Sequence, residues 1–243
     1  MVIDHNRIQV VTHPRSKSNF FCQLLQSQTG FDLVSEPFHN KKQMFYSGHF
    51  SPIDRDTIDA WEYIAKDING RQNIIVKFML HQFNFVETLS PQAAREYNAN
   101  DYYNFLLIRK KAYETLISSI ASTYIRVYIN SKYNEKHIKS LSEKATGEYL
   151  DFCAKIVFNW YFDLLCNDNI RYDSVLYSEN LDNSFKISNY INYTKAAVEP
   201  SIKNEKTNLM DEIAKDHSLI ERCQAALDKL SNGDLKFHNG ILQ

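Results

Sequence analysis

Glycine is scarce in this chain, at 6 residues in 243, and proline scarcer still, at 5. So little of either argues against flexible linkers, collagen-like repeats and low-complexity segments, and the length fits a single α/β domain over 1–243. The four cysteines, Cys22, Cys153, Cys166 and Cys223, are scattered with no C-x-x-C spacing. Neither a zinc site nor a disulfide framework is expected from them, and buried free thiols in a reducing compartment are the simpler reading. No apolar run approaches the roughly 18 residues that a membrane span needs, and the opening MVIDHNRIQVV lacks the basic and apolar regions of a signal peptide. Net charge is −1, so no global field draws the chain to nucleic acid or membrane, and any bound anion must be held by a local cluster. These absences describe a soluble, cytoplasmic chain.

What is present is apolar and aromatic. Apolar residues make up 44 % of the chain, with 15 Tyr and 15 Phe, enough to bury a sizeable core. β-Branched runs at 7–12 and 73–80 and an aromatic, leucine-rich run at 102–109 read as strands, with shorter strands at 31–38 and 172–181. Between them, apolar residues recur at helical spacing. Phe21, Leu24 and Leu25 mark a helix over 18–28, and Ile58, Trp61, Ile64, Ala65 and Ile68 mark a second. A long amphipathic helix is expected over 112–129, a largely buried one over GEYLDFCAKIVFNWYFDLLCND with Trp160 in the core, and another over LMDEIAKDHSLIERCQAALDKL. Residues 39–55, 82–101 and 130–146 read as loops. Strands alternating with helices predict an α/β fold, three layers with a mainly parallel central sheet.

The stretch RIQVVTHPRSKSNFFCQLLQ, residues 7–26, crowds hydrogen-bond donors where a strand hands over to a helix. In parallel sheets ligands sit beyond the carboxyl ends of the strands. Backbone N–H groups opening the helix, together with its macrodipole, favour an anion there, and Arg15, Ser16, Lys17 and Ser18 add side-chain donors. A helix merely capped by Ser18, with solvated basic neighbours, is the plainer alternative. The nucleoside-triphosphate loop pattern G-x-x-x-x-G-K-[ST] would need glycines at Val11 and Ser16 and finds neither, although Lys17-Ser18 stand in place. That counts against a nucleoside or sugar kinase on a P-loop fold, which would use ATP and Mg²⁺.

The same loop resembles the Pro-Arg-Ser-Gly-Ser-Thr opening loop of the sulfotransferases that use 3′-phosphoadenosine 5′-phosphosulfate (PAPS). Pro14, Arg15, Ser16 and Ser18 match; Lys17 stands at the glycine, and Asn19 at the usual Thr or Ser. Further along, TGFDLVSEPFH and IIVKFMLHQF resemble the next segments of the bacterial trehalose-sulfotransferase-like branch, placing Glu36, Lys77 and His81. LLIRKKAYETLISSIAS resembles the segment whose Arg and Ser hold the 3′-phosphate, here Arg109 and Ser118, without the usual Asp-Pro. VLYSENL resembles a later strand end, and SIKNEKTN the loop that closes over the nucleotide, with Lys203 and Lys206.

The resemblance implies a P-loop-containing sulfotransferase-like fold. It implies sulfuryl transfer from PAPS to a hydroxyl or amine of a carbohydrate or other small acceptor, with 3′-phosphoadenosine 5′-phosphate (PAP) as product and no metal. Pro14 through Asn19 would hold the 5′-phosphate, with Arg15 and Lys77 beside the reacting centre. Glu36 and His81 both stand as candidates for the base that takes the acceptor proton. His13 and His39 also lie near these loops, and His13 reads as a capping or loop residue. A non-catalytic module that kept the fold and lost turnover is the alternative, and Lys17 in place of glycine is the feature in its favour.

Overall fold

The computed structural model describes residues 6–38, 58–124, 133–166, 170–195 and 209–243. Its core is a five-stranded, wholly parallel sheet built from β1 (Arg7–Thr12), β2 (Asp32–Ser35), β3 (Ile74–Met79), β4 (Tyr103–Ile108) and β5 (Ser174–Tyr177), in the order β2-β3-β1-β4-β5. The chain is therefore α/β, as the alternation of patterns predicts. The described residues fall into two compact units: those within 6–13, 17–108 and 170–195 form the first, and those within 14–16, 109–166 and 209–243 the second.

The first unit holds the sheet. β1 is central, and its neighbours set the register: Val10 pairs with Lys77 of β3 and with Phe105 of β4. Side chains alternate across the sheet. Ile8, Val10, Ile75, Phe105 and Leu107 form one face, packed by Phe21, Cys22 and Leu25 of α1 (Ser18–Thr29) and by Leu181, Ile187 and Ile191. Each fully buried side chain of this kind contributes about 1.5–3 kcal/mol. The opposite face shows Gln9 and Phe78. Tyr97 donates to Gln9 Oε1, and the rings of Phe38, Phe83 and Tyr97 gather around Phe78. On this side lie α3 (Leu80–Leu89) and α4 (Pro91–Glu96), with α2 (Ile58–Gly70) packed against α4 through a buried stripe that includes Trp61, Ile64 and Ile68.

The second unit is helical: α5 (Ala112–Tyr124), α6 (Glu135–Lys144), α7 (Gly147–Leu165), α8 (Leu209–Ile213) and α9 (His217–Asp228). α7 buries one stripe, Leu150, Ala154, Val157, Tyr161 and Leu164, against α5 and α9. A two-stranded hairpin, β6 (Phe237–His238) and β7 (Ile241–Leu242), turns through Asn239-Gly240 beside α9. Arg222 of α9 donates to the carbonyls of Ser142 and Ala145 and ties that helix to the end of α6.

Several sequence expectations are corrected. Much of residues 82–101 is helical, because Ser90 caps α4 through the Ala93 N–H and Pro91 opens it. The Lys-rich stretch before 146 contains α6, started by a reciprocal cap between Asn134 and His137 and anchored by buried Ile138 and Leu141. The helix expected from Leu209 onward is two helices, the second restarted by the Asp216 side chain accepting from Leu219 N–H. The largely buried helix expected here, α7, buries one stripe and leaves Phe152 at 60 % exposure, and Trp160 is half-buried, not a core residue.

Candidate functional site

The carboxyl edge of the sheet gathers the polar groups of the first unit. Lys77 lies on β3 in register with Val10, so it shares the face covered by α1. There its ammonium is nearly sealed, at 5 % side-chain exposure, and an isolated charge in such a place is unstable. Two short bonds compensate: Nζ donates to Glu36 Oε1 at 2.6 Å and to Asn19 Oδ1 at 2.6 Å. Glu36 follows β2 directly, with φ 53, and its backbone N–H bonds the Lys77 carbonyl at 2.9 Å. Gln82, in the first turn of α3, donates from Nε2 to the other carboxylate oxygen at 3.1 Å. Strands β2 and β3 and helix α3 thus meet at the Glu36 carboxylate, and the opening of α1 joins them through Lys77. Beneath them lies Cys22, one helical turn from Asn19. Burial pushes its thiol up to about 12, against the opposing pull of Lys77 and with a smaller push from Glu36.

The loop after β1 turns through two left-handed residues, Arg15 at φ 68 and Lys17 at φ 61. Left-handed residues alternating with one of ordinary φ direct successive N–H groups to one side, an arrangement that accepts anions. Each left-handed non-glycine residue costs about 1–2 kcal/mol. Lys17 therefore adopts the conformation that a glycine would take freely. It is also the N-cap of α1, so Ser18 is the first helical residue and not the cap. Lys17 Nζ donates to the Ser178 carbonyl, just past β5, at 3.1 Å. Ser16 and Ser18 are buried and Pro14 is half-buried, while His13 is buried at the end of β1.

The second unit carries a second basic cluster. Arg109 follows β4 and is 7 % exposed. Its Nη1 lies 3.7 Å from Glu114 Oε2, and Lys111 Nζ lies 3.4 Å from Glu114 Oε1, so two cations share one carboxylate. Ser118 stands one turn beyond Glu114 on the same face of α5 and is half-buried. Tyr161 of α7 donates to the Arg109 carbonyl at 2.6 Å.

Of the residues singled out in the sequence, Glu36, Lys77 and Asn19 are brought together. His81 is the second residue of α3 and is half-buried. Lys203, Lys206, His39 and residues 39–55 lie outside the described residues. Gln82 and Tyr161 escaped the sequence reading. Gln82 stood in what read as a loop, and Tyr161 among so many apolar residues that only a core role suggested itself. Among the described residues no group of His, Cys, Asp or Glu side chains could hold a metal ion, and no helix is long and apolar enough to cross a membrane. No protein-family model matches the chain, and no curated protein matches it either.

Proposed function

We propose that this chain is a PAPS-dependent sulfotransferase on a three-layer, P-loop-containing sulfotransferase-like fold, acting in the cytoplasm on a carbohydrate or small-metabolite acceptor. The observation that carries the reading is the meeting of Glu36, Lys77 and Asn19 at the carboxyl edge, where the donor-rich loop enters α1. In this reading Pro14, Arg15, Ser16, Lys17, Ser18 and Asn19 hold the 5′-phosphosulfate. Arg109 and Ser118 hold the 3′-phosphate through charge-assisted bonds, and Lys203 and Lys206 are the candidates in the loop that closes over the nucleotide.

The acceptor oxygen attacks sulfur, the bond from sulfur to the bridging phosphate oxygen breaks, and PAP leaves with the electron pair. The acceptor proton passes to Glu36. Lys77 donates to one carboxylate oxygen and Gln82 to the other, which fixes the orientation of the carboxylate. Lys77 orients the carboxylate and supplies a cation beside the charge that builds on the leaving oxygen. His81 is the alternative base.

One observation favours a second reading, a nucleotide-binding module without turnover: Glu36 is already engaged by both Lys77 and Gln82, and Lys17 by Ser178. A thermal-shift titration with PAP, ATP–Mg²⁺ and AMP separates the classes. A ligand at 100 times its dissociation constant adds about 2.7 kcal/mol, an easily read shift. Selective stabilisation by PAP, lost in Arg109→Ala, is the expected result. A larger shift with ATP–Mg²⁺ means a P-loop kinase. PAP binding without transfer from PAPS to any of a panel of sugars, alcohols and amines means the binding module. No shift with PAP removes both PAPS readings.

A further inference from the structure

The segment that carries Arg109 is fixed at three successive carbonyls. That of Arg109 accepts from Tyr161 Oη at 2.6 Å. That of Lys110 accepts from Leu242 N–H at 2.9 Å and from Ala112 N–H at 2.9 Å. Lys111 bridges Ile241 in antiparallel fashion, and its carbonyl accepts from Glu114 N–H at 3.0 Å. Two residues further on, Tyr113 N–H donates to the Gly240 carbonyl at 3.1 Å. The β6–β7 hairpin thus lies along the turn leading into α5. The hairpin is itself braced, since the Asp228 carboxylate accepts from the N–H groups of Asn239 and Gly240 at 2.9 Å each.

Tyr161 joins the two sides of this arrangement. It is completely buried. Its single hydroxyl proton goes to Arg109, so the Thr115 hydroxyl, at 3.2 Å, must donate to it. Phe237 of the hairpin meets its ring edge-to-face, with centroids 5.6 Å apart.

We propose that Tyr161, held by Phe237 and Thr115, is a positioning residue that sets the backbone from which Arg109 reaches the 3′-phosphate, and that the hairpin is part of that site. The proposal rests on the assignment of Arg109 to the 3′-phosphate. A guanidinium recognises phosphate through a planar fork, so its grip depends on where its Cα and peptide plane are fixed. A helix contact needs only a ring in the α7 stripe. The buried hydroxyl and its two polar partners exceed that need, and all of them bear on residue 109 or on the first turns of α5.

The test compares dissociation constants for PAP and for AMP, which lacks the 3′-phosphate, in the full chain carrying Tyr161→Phe. The ring and its packing stay, and only the hydroxyl goes. The ratio of AMP to PAP dissociation constants is expected to fall about tenfold, the effect of one lost well-placed hydrogen bond, while AMP binding itself is unchanged. General loosening of the helices would weaken both ligands alike and leave the ratio standing, and that result overturns the proposal. Should Tyr161→Phe not fold, Phe237→Leu takes its place with the same readout. Arg109→Ala separates the two levels. If wild type prefers PAP and Arg109→Ala loses the preference while Tyr161→Phe keeps it, Tyr161 has no positioning role and the 3′-phosphate assignment survives. If wild type shows no preference for PAP, the assignment and the proposal fall together.

Discussion

Lys77 puts an ammonium on a sheet face whose register neighbour is Val10, and only the bonds to Glu36 and Asn19 make that tolerable. Losing the ammonium leaves two acceptors without their donor, and losing the carboxylate leaves a sealed cation beside an amide. Because Glu36 is 26 % exposed, water relieves part of either loss, so each single change should cost about 1–3 kcal/mol, short of the larger penalty for a fully buried pair. Lys77→Met and Glu36→Gln should then be non-additive. Denaturant unfolding of both singles and the double should give a coupling energy above about 1 kcal/mol, and simple additivity would show that the 2.6 Å contact contributes nothing to stability. Lys17→Gly poses a different balance. It removes the strain at φ 61, but it frees the unfolded backbone and loses the bond to the Ser178 carbonyl. Stability should change by less than about 1 kcal/mol. PAP binding should weaken if Lys17 is a ligand, as proposed; tighter binding would show instead that the side chain obstructs the loop.

Two glycines make opposite predictions about the elements that contain them. Gly240 has φ 63, and a Cβ there would lie 3.0 Å from both Gln224 Cα and Tyr113 Cβ, so Gly240→Ala should lose about 1–3 kcal/mol in a denaturant melt. Gly70, at the end of α2, has open space around that position, so Gly70→Ala should gain about 0.4–1 kcal/mol. The contrast tests whether the hairpin is seated on α9 and on the start of α5. The elements also differ in how plainly the sequence announced them. Strands β1 and β3 are β-branched, β4 is aromatic and leucine-rich, and all three are buried on both faces, so their apolar runs were unambiguous. Helix α6 buries only two apolar residues, and four lysines and glutamates in its first and last turns hide the period. The Asn239-Gly240 hairpin was missed although Asn-Gly between apolar residues is a strong turn signal, because strands of two residues leave no alternation to recognise. At the site, Glu36 and Lys77 were legible through a resemblance in chain order. The left-handed Lys17 was signalled only by its place at the glycine of the resembled loop, since a lysine by itself does not advertise positive φ.

At the scale of the whole molecule, a net charge of −1 gives no long-range field, so pH should act mainly through buried groups. Both units hold completely buried thiols, Cys22 in the first and Cys223 in the second. Burial raises each from an ordinary 9.0 to about 12, although Lys77 pulls the first down and Arg222 the second. Burial likewise lifts Tyr102 from 10.0 to about 12, partly offset by Arg7. In every case the neutral form is favoured in the folded state. The unfolded chain gives up these protons from about pH 9 for the thiols, while the folded chain keeps them to about 12. Their contribution is therefore fully present below about pH 9 and is lost as pH rises through that window, at up to about 1.4 kcal/mol per pH unit for each group. Urea midpoints should be level from pH 7 to about 8.5 and fall steadily above 9. The slope above pH 9 should lessen in Cys22→Ala, which removes one titrating group. A thiol reagent at pH 8 should modify exposed Cys166 in the folded protein and reach Cys22 and Cys223 only on unfolding. A midpoint that stays level to pH 11, or rapid labelling of Cys22 in the native state, would mean that α1 does not seal the sheet face on which Lys77 sits.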